Sequence, residues 1–171
     1  MNERHGEYAV KGHPLTVLGE KLAAGDPAPG ATLIANNWAP VDLADWVGMV
    51  RLISVVPSLD TSVCDAQTRR FNEEAAGLGE DVVVLTISTD LPPAQKRWCG
   101  AAGVGRVITL SDHKEMAFAQ AYGTYVKEQR LEQRAVFVVD RDGTIQYAEY
   151  VPDMSQQPNY EASLTVARAL Y

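Results

Sequence analysis

Two cysteines are the side chains of this chain whose type and placement point to covalent chemistry. Cys64 lies in "PSLDTSVCDAQTRRF", residues 57–71, directly after the apolar run "VRLISVV". Thr61 reads as the N-cap of a helix, which makes Cys64 its third residue. There a thiol feels the positive end of the helix dipole and lies near backbone N–H groups that have no intrahelical partner. Both favour the thiolate, the nucleophilic form of the side chain. The charges of Asp60 and Asp65 work against this unless they point away or a cation offsets them. The same position equally suits a small buried residue that fills an apolar stripe with Phe71, Ala75 and Leu78. Helix position fits both readings.

Cys99, in "KRWCGAAG", falls in the middle of a second helix beside Trp98. It reads either as a core thiol or as a resolving thiol that condenses with an oxidised Cys64. A disulfide needs Cα atoms closer than about 7 Å, and cysteines on two different helices seldom meet that without local unwinding. Pro92-Pro93 ahead of Cys99 and Gly-Ala-Ala-Gly after it mark a segment suited to unwind.

Other chemistries are disfavoured by what surrounds these thiols. There is no C-x-x-C, and His5, His13 and His113 lie far in sequence from either cysteine, so no metal site is expected. Two cysteines are too few for a disulfide scaffold. The net charge of −7 and the scattered basic residues argue against nucleic acid and against an anionic membrane surface as partners. "MNERHGEYAVKGHP" has no apolar core of a signal peptide, and no apolar run approaches the ~18 residues of a membrane helix. A soluble, cytoplasmic protein is expected. At 171 residues the chain reads as one domain spanning 1–171, with an ordinary apolar fraction of 46%.

The elements that must position the thiols follow from periodicity. Residues 7–18 read as two extended pieces around a Gly-His-Pro turn, and "ATLIANN" as a strand. "DLADWVG" reads as a short helix capped by Asp42 and closed by Gly48. Residues 51–56 form a continuous apolar strand, buried on both faces. Small or apolar residues at 64, 68, 71, 75 and 78 then mark a helical stripe that ends at Gly77 and Gly79. "DVVVLTIST" is a further buried strand. Pro92-Pro93 open a second helix, which closes between Gly100 and Gly103. "RVITLS" reads as a strand and residues 112–123 as a helix. "RAVFVVDRDGTIQYAEYV" reads as a hairpin around Asp-Gly, and "NYEASLTVARALY" as an amphipathic helix. Alternation early and a hairpin late predict an α/β fold, a mixed central sheet flanked by helices. A thioredoxin-like fold fits that order.

The motifs "PSLDTSVC" and "LPPAQKRWCGAAGV", with "GHPLTVLG", "VITLSDH", "QAYG" and "RAVFVVD", resemble the thiol peroxidase branch of the peroxiredoxins, the atypical two-cysteine kind. The family signature P-x-x-x-T-x-x-C stands here as Pro57, Thr61 and Cys64. The likeness covers the chain from about residue 7. It implies the peroxiredoxin variant of the thioredoxin fold, with an N-terminal β-hairpin extension. It implies that Cys64 is the peroxidatic cysteine and that Thr61 directs its hydroxyl at the thiolate and the peroxide. Pro57 would shield the sulfur from water, and Arg134 would hold it anionic. Cys99 would be the resolving cysteine of an intramolecular Cys64–Cys99 disulfide. Substrates would be hydrogen peroxide and alkyl hydroperoxides, the reductant a thioredoxin-like dithiol and the assembly a homodimer. No metal, haem or flavin is implied.

The chain departs from the family at Glu132 and Gln133, where relatives carry small or apolar residues, and at Gln157, where Glu is common. The first pair is expected at the rim that receives a substrate tail, and Gln157 in a loop or subunit contact. Rival readings are a dithiol–disulfide oxidoreductase, a peroxide-sensing redox switch and a binding domain with two inert thiols.

Overall fold

The computed structural model describes residues 1–171. It opens with a hairpin of β1 (Glu3–Val10) and β2 (His13–Leu18). The turn is Lys11-Gly12, both at positive φ (50° and 78°), rather than the expected Gly-His-Pro. A two-residue hairpin turn with both central residues left-handed matches the twist of the strands, and Gly12 takes the second place. His13 and Pro14 are thereby drawn into β2.

The run "ATLIANN" yields only the short β3 (Thr32–Ile34), because Asn36 to Trp38 turn the chain into β4 (Pro40–Asp42). "DLADWVG" forms a 3-10 turn, Leu43–Trp46, and Asp42 caps it as expected by accepting from Ala44 N at 2.8 Å. β5 (Val50–Val55) is buried at every position. It leads into α1 (Ser62–Ala75), β6 (Val82–Ser88), α2 (Pro92–Ala102) and β7 (Ile108–Ser111). α3 (Ala117–Tyr122) starts five residues later than the sequence predicts. Asp112 holds its N-terminus from a distance, accepting from Phe118 N (3.1 Å) and Ala119 N (2.9 Å), so residues 112–116 are a turn.

β8 (Tyr125–Val126) and β9 (Leu131–Glu132) have no counterpart in the sequence reading. They pair with the hairpin in a four-stranded sheet of order β1-β2-β8-β9. The expected late hairpin is β10 (Ala135–Val139) and β11 (Ile145–Tyr150), and the chain ends on α4 (Tyr160–Arg168).

The main sheet has the order β11-β10-β5-β6-β7-β3-β4, with β5, β6 and β7 parallel and the rest antiparallel. Alternate residues of its central strands serve two cores, as a pleat of period two requires. Leu52, Val84, Val136 and Val138 pack with Phe71 of α1 and Leu164 of α4. Ile53, Leu85, Ile87 and Phe137 pack on the other face with Phe118 and Tyr122 of α3. The thioredoxin-like α/β architecture and its hairpin extension are therefore those the motifs implied. No helix is long and apolar enough to cross a membrane.

Candidate active site

The site forms where β5 ends and α1 begins. Between them, the loop from Val56 to Thr61 is pinned by Asp90, which follows β6. Asp90 accepts from Ser58 Oγ (2.7 Å), Leu59 N (2.8 Å) and Ser88 Oγ (2.7 Å). Pro57 is buried within this loop. Thr61 has the extended backbone of an N-cap, φ −109° and ψ 149°, yet its side chain caps no helical N–H. Its hydroxyl donates instead to Ser58 O at 3.2 Å. The first bond of α1 runs from Asp65 N to Thr61 O, which leaves the N–H groups of Ser62, Val63 and Cys64 without acceptors behind them in the helix.

Cys64 sits in that first turn, fully buried against Val56, Leu59 and Trp98. Arg134, two residues after the end of β9 and likewise fully buried, aims Nη2 at its sulfur from 3.4 Å. The guanidinium has two further acceptors, and the main chain that carries it is tied as well. Nη1 donates to Gln67 Oε1 (2.8 Å), Nη2 also donates to Met154 O (2.8 Å), and the Arg134 carbonyl accepts from Val151 N (2.9 Å). Gln67 is in turn fixed by its Nε2 donating to Ser54 Oγ at 2.8 Å. Arg134 Nε and the buried Tyr8 hydroxyl of β1 have no protein partner.

The charge of Arg134 is the decisive feature. No carboxylate lies within ion-pair range of it, and of its hydrogen-bond partners only Cys64 can become an anion. A buried cation without a counter-charge is costly, and the Cys64 sulfur is the one contacting group able to carry a negative charge. The two acidic neighbours do not cancel this. Asp60 is exposed, and the Asp65 carboxylate is tied to Arg69 Nε (2.8 Å) and Trp98 Nε1 (3.0 Å).

Cys99 is not brought to Cys64. Both thiols are free, and the half-buried Cys99 sulfur lies 3.6 Å from Thr109 Oγ1 of β7, in a recess also lined by Asn36, Val104 and Ile108. It is the adjacent Trp98 that packs beside Cys64. No three His, Cys, Asp or Glu side chains cluster as metal ligands would.

Gln67, Ser54, Asp90 and the Met154 carbonyl belong to this arrangement although the sequence reading does not single them out. Gln67 carried a signal, being a polar residue three positions after Cys64 on the face that the apolar stripe buries. The Met154 carbonyl carried none, since any residue supplies one.

Glu132 and Gln133 do not form a substrate rim. Both are buried. Gln133 Nε2 donates to Val151 O at 3.0 Å, and Glu132 Oε2 accepts from Thr124 Oγ1. Glu132 belongs to β9, which pairs with β8, and Gln133 N donates to Thr124 O at 2.7 Å. Gln157 is exposed in the loop before α4.

The buried Glu132 carboxyl stands beside Asp112, and burial, reinforced by the Asp112 charge, raises its pKa well above the ordinary carboxylate range. Its Oε1 has no hydrogen-bond partner. A carboxyl whose pKa is raised on folding contributes stability below its unfolded pKa and loses it as pH rises toward the folded value. Glu132→Gln, which keeps a donor facing Asp112, should therefore remove that loss. Its unfolding free energy in urea should match the native chain near pH 4 and exceed it increasingly above, by at most about 1.4 kcal/mol per pH unit. Parallel pH profiles for the two proteins would show that Glu132 is ionised in the fold.

The Redoxin family profile matches residues 23–164. The chain is 55% identical to a thiol peroxidase of Bacillus subtilis (strain 168) over 96% of this chain and 98% of that protein. It is 49% identical to a thiol peroxidase of Staphylococcus aureus (strain MRSA252), over 92% and 95% respectively. Among solved structures, a peroxiredoxin-like protein from Aquifex aeolicus superposes with a TM-score of 0.90 at 33% identity, covering 100% of both chains. A thiol peroxidase from Chromobacterium violaceum shares the fold with a TM-score of 0.84 at 17% identity over 95% of each chain. With a thiol under a buried arginine at the head of α1 of such a fold, the chain belongs to the redoxin family, on its thiol peroxidase branch.

Proposed function

We propose that the chain reduces hydrogen peroxide and alkyl hydroperoxides through Cys64, with Cys99 as resolving thiol and a thioredoxin-like dithiol as reductant. The observation that carries this is the uncompensated Arg134 guanidinium 3.4 Å from a buried sulfur at a helix N-terminus. The Cys64 thiolate attacks one peroxide oxygen. The O–O bond breaks, the sulfur becomes a sulfenic acid, and the departing oxygen takes a proton and leaves as water or an alcohol. Negative charge grows on that departing oxygen, so fixed donors stabilise the transition state more than the bound peroxide. Arg134 and the free N–H groups of the first turn of α1 are such donors. Thr61 joins them if its hydroxyl leaves the Ser58 carbonyl, and Pro57 helps to keep water from the sulfur.

The Cys99 thiol then displaces hydroxide from the sulfenic sulfur, giving a disulfide and water before a second peroxide can form the sulfinic acid. Two electrons from an external dithiol restore both thiols. The chain is expected to work as a homodimer, which light scattering tests.

The chemistry is tested by a thiol count and intact mass before and after one equivalent of peroxide. Two thiols should fall to none, with a monomer lighter by about two hydrogens. Survival of both thiols would sink the reading. Consumption of both with a doubled mass would replace the intramolecular bridge by an intermolecular one. The two thiols on separate helices also disfavour a dithiol–disulfide oxidoreductase, for which insulin reduction is the discriminating assay.

A further inference from the structure

Oxidation must bring together two sulfurs that face different neighbours, Cys64 under Arg134 and Cys99 beside Thr109. The buried Gln95 ties the first half of α2 to Ser88 Oγ and Leu110 O (3.0 Å each), and the half that carries Cys99 is fastened by side chains on the outer side of the same two helices. Asp65, the residue after Cys64, accepts from Trp98 Nε1 at 3.0 Å through Oδ1 and from Arg69 Nε at 2.8 Å through Oδ2. Arg69 also donates from Nη1 to Ala102 O at 3.2 Å, one of the last carbonyls of α2, and its guanidinium lies 5.8 Å from the centre of the Trp98 ring. These are contacts from one turn of α1 to both flanks of Cys99. Trp98 and Ala102 cannot keep them if the segment between unwinds.

We propose that Asp65, Arg69 and Trp98 form a clasp that positions the resolving cysteine and sets how fast the sulfenic acid is converted to disulfide. The inference rests on the two-cysteine reading above. The clasp closes the thiol form around Cys64 and slows the departure of Cys99 from Thr109. A slow second step leaves the sulfenic acid exposed to a second peroxide, so the clasp also sets the peroxide concentration at which Cys64 is lost to sulfinic acid. Because Asp65 adjoins Cys64, displacement of the oxidised sulfur bears directly on the carboxylate that holds Trp98. The three side chains are positioning residues; none touches the sulfur through a polar atom.

Arg69→Leu and Trp98→Phe open different arms of the clasp. The first removes the Asp65 pair and the carbonyl contact, and the second removes only the indole N–H and keeps an aromatic ring. The readout is the partition of Cys64 between disulfide and sulfinic acid over a peroxide series, by quenched intact mass. The first oxidation cancels from this ratio, so a general loss of activity does not move it. Each variant should shift half-conversion to sulfinic acid to a peroxide concentration about five-fold higher, the effect of one partly exposed hydrogen bond of ordinary net strength. An unchanged partition in both folded variants, with native chain that forms the disulfide, overturns the clasp alone. A native chain that forms no disulfide overturns the two-cysteine reading and the clasp with it. A shift toward more sulfinic acid shows that the contacts assist resolution instead, and also overturns the proposal.

Discussion

Arg134→Met is expected to lower kcat/KM for hydrogen peroxide by about a thousandfold, the upper range for removal of one fixed donor at a developing oxyanion. The loss has two parts. Methionine fills much of the volume but removes the only cation that contacts Cys64, and with it the counter-charge that the proposed reaction places beside the sulfur. It also removes a donor from the region where the peroxide oxygens must lie. Arg134→Lys separates the two, because lysine keeps the charge without the planar fork that spans Gln67 and Met154. It should fall between Arg134→Met and the native chain. The pH dependence of Cys64 alkylation checks the first part independently of peroxide. A methionine variant with native peroxidase activity and native alkylation would show that the guanidinium is structural.

Stability should change much less than activity in that variant. Gln67 Oε1 and Met154 O lose a donor, which costs about 1–3 kcal/mol for each group left unpaired. Against this, the burden of keeping an unpaired cation away from water disappears. Chemical denaturation of the variant in parallel with the activity assay therefore separates misfolding from lost electrostatics.

How much of this was legible in the sequence depends on the range of the interaction involved. β5 and β6 declare themselves as apolar runs, and α1 as a stripe, because burial of those faces requires it locally. β8 and β9 are two residues each and exist only because β2 offers them an edge, which no local pattern encodes. The late start of α3 has the same origin, since its cap, Asp112, acts across a turn. In the site, Cys64 could be placed at a helix start from spacing alone, but its chemistry could not be chosen. Arg134 lies 70 positions further along, and only the family motif linked the two before the fold did. Gln67 shows the intermediate case, visible as a polar residue on a buried face yet without a stated partner.

The reading of Glu132 and Gln133 as a substrate rim failed for a related reason. Charged and amide side chains beside an arginine look like surface in a sequence. Here Glu132 is itself in β9, joined to the hairpin's sheet through β8, and Thr124 and the Val151 carbonyl supply hydrogen bonds to Glu132 and Gln133. Their polarity serves the joint between the two sheets. Any effect of these residues on peroxide choice must pass through the placement of Arg134, two and one residues along the same chain.

Cys99→Ser should leave the first oxidation of Cys64 at its native rate and lower sustained turnover with a thioredoxin-like dithiol by at least about a hundredfold, since an intramolecular partner is replaced by an external one. The separation of the two effects follows from the geometry. The Cys99 sulfur contacts Thr109 and not Cys64 or Arg134, and a serine hydroxyl can keep a hydrogen bond to Thr109, so the thiol form is undisturbed. Once Cys64 is a sulfenic acid, however, its only nearby source of thiol is gone. An external thiol has to reach a sulfur that is fully buried in the folded chain. Peroxide is smaller than any protein reductant and arrives first, so Cys64 proceeds to the sulfinic acid, which no thiol reverses. Intact mass distinguishes the fates directly: the native chain becomes lighter by about two hydrogens, whereas the variant becomes heavier by about two oxygens. If the variant instead turns over at the native rate, an external thiol resolves Cys64 and the free thiol beside Thr109 has no part in the cycle.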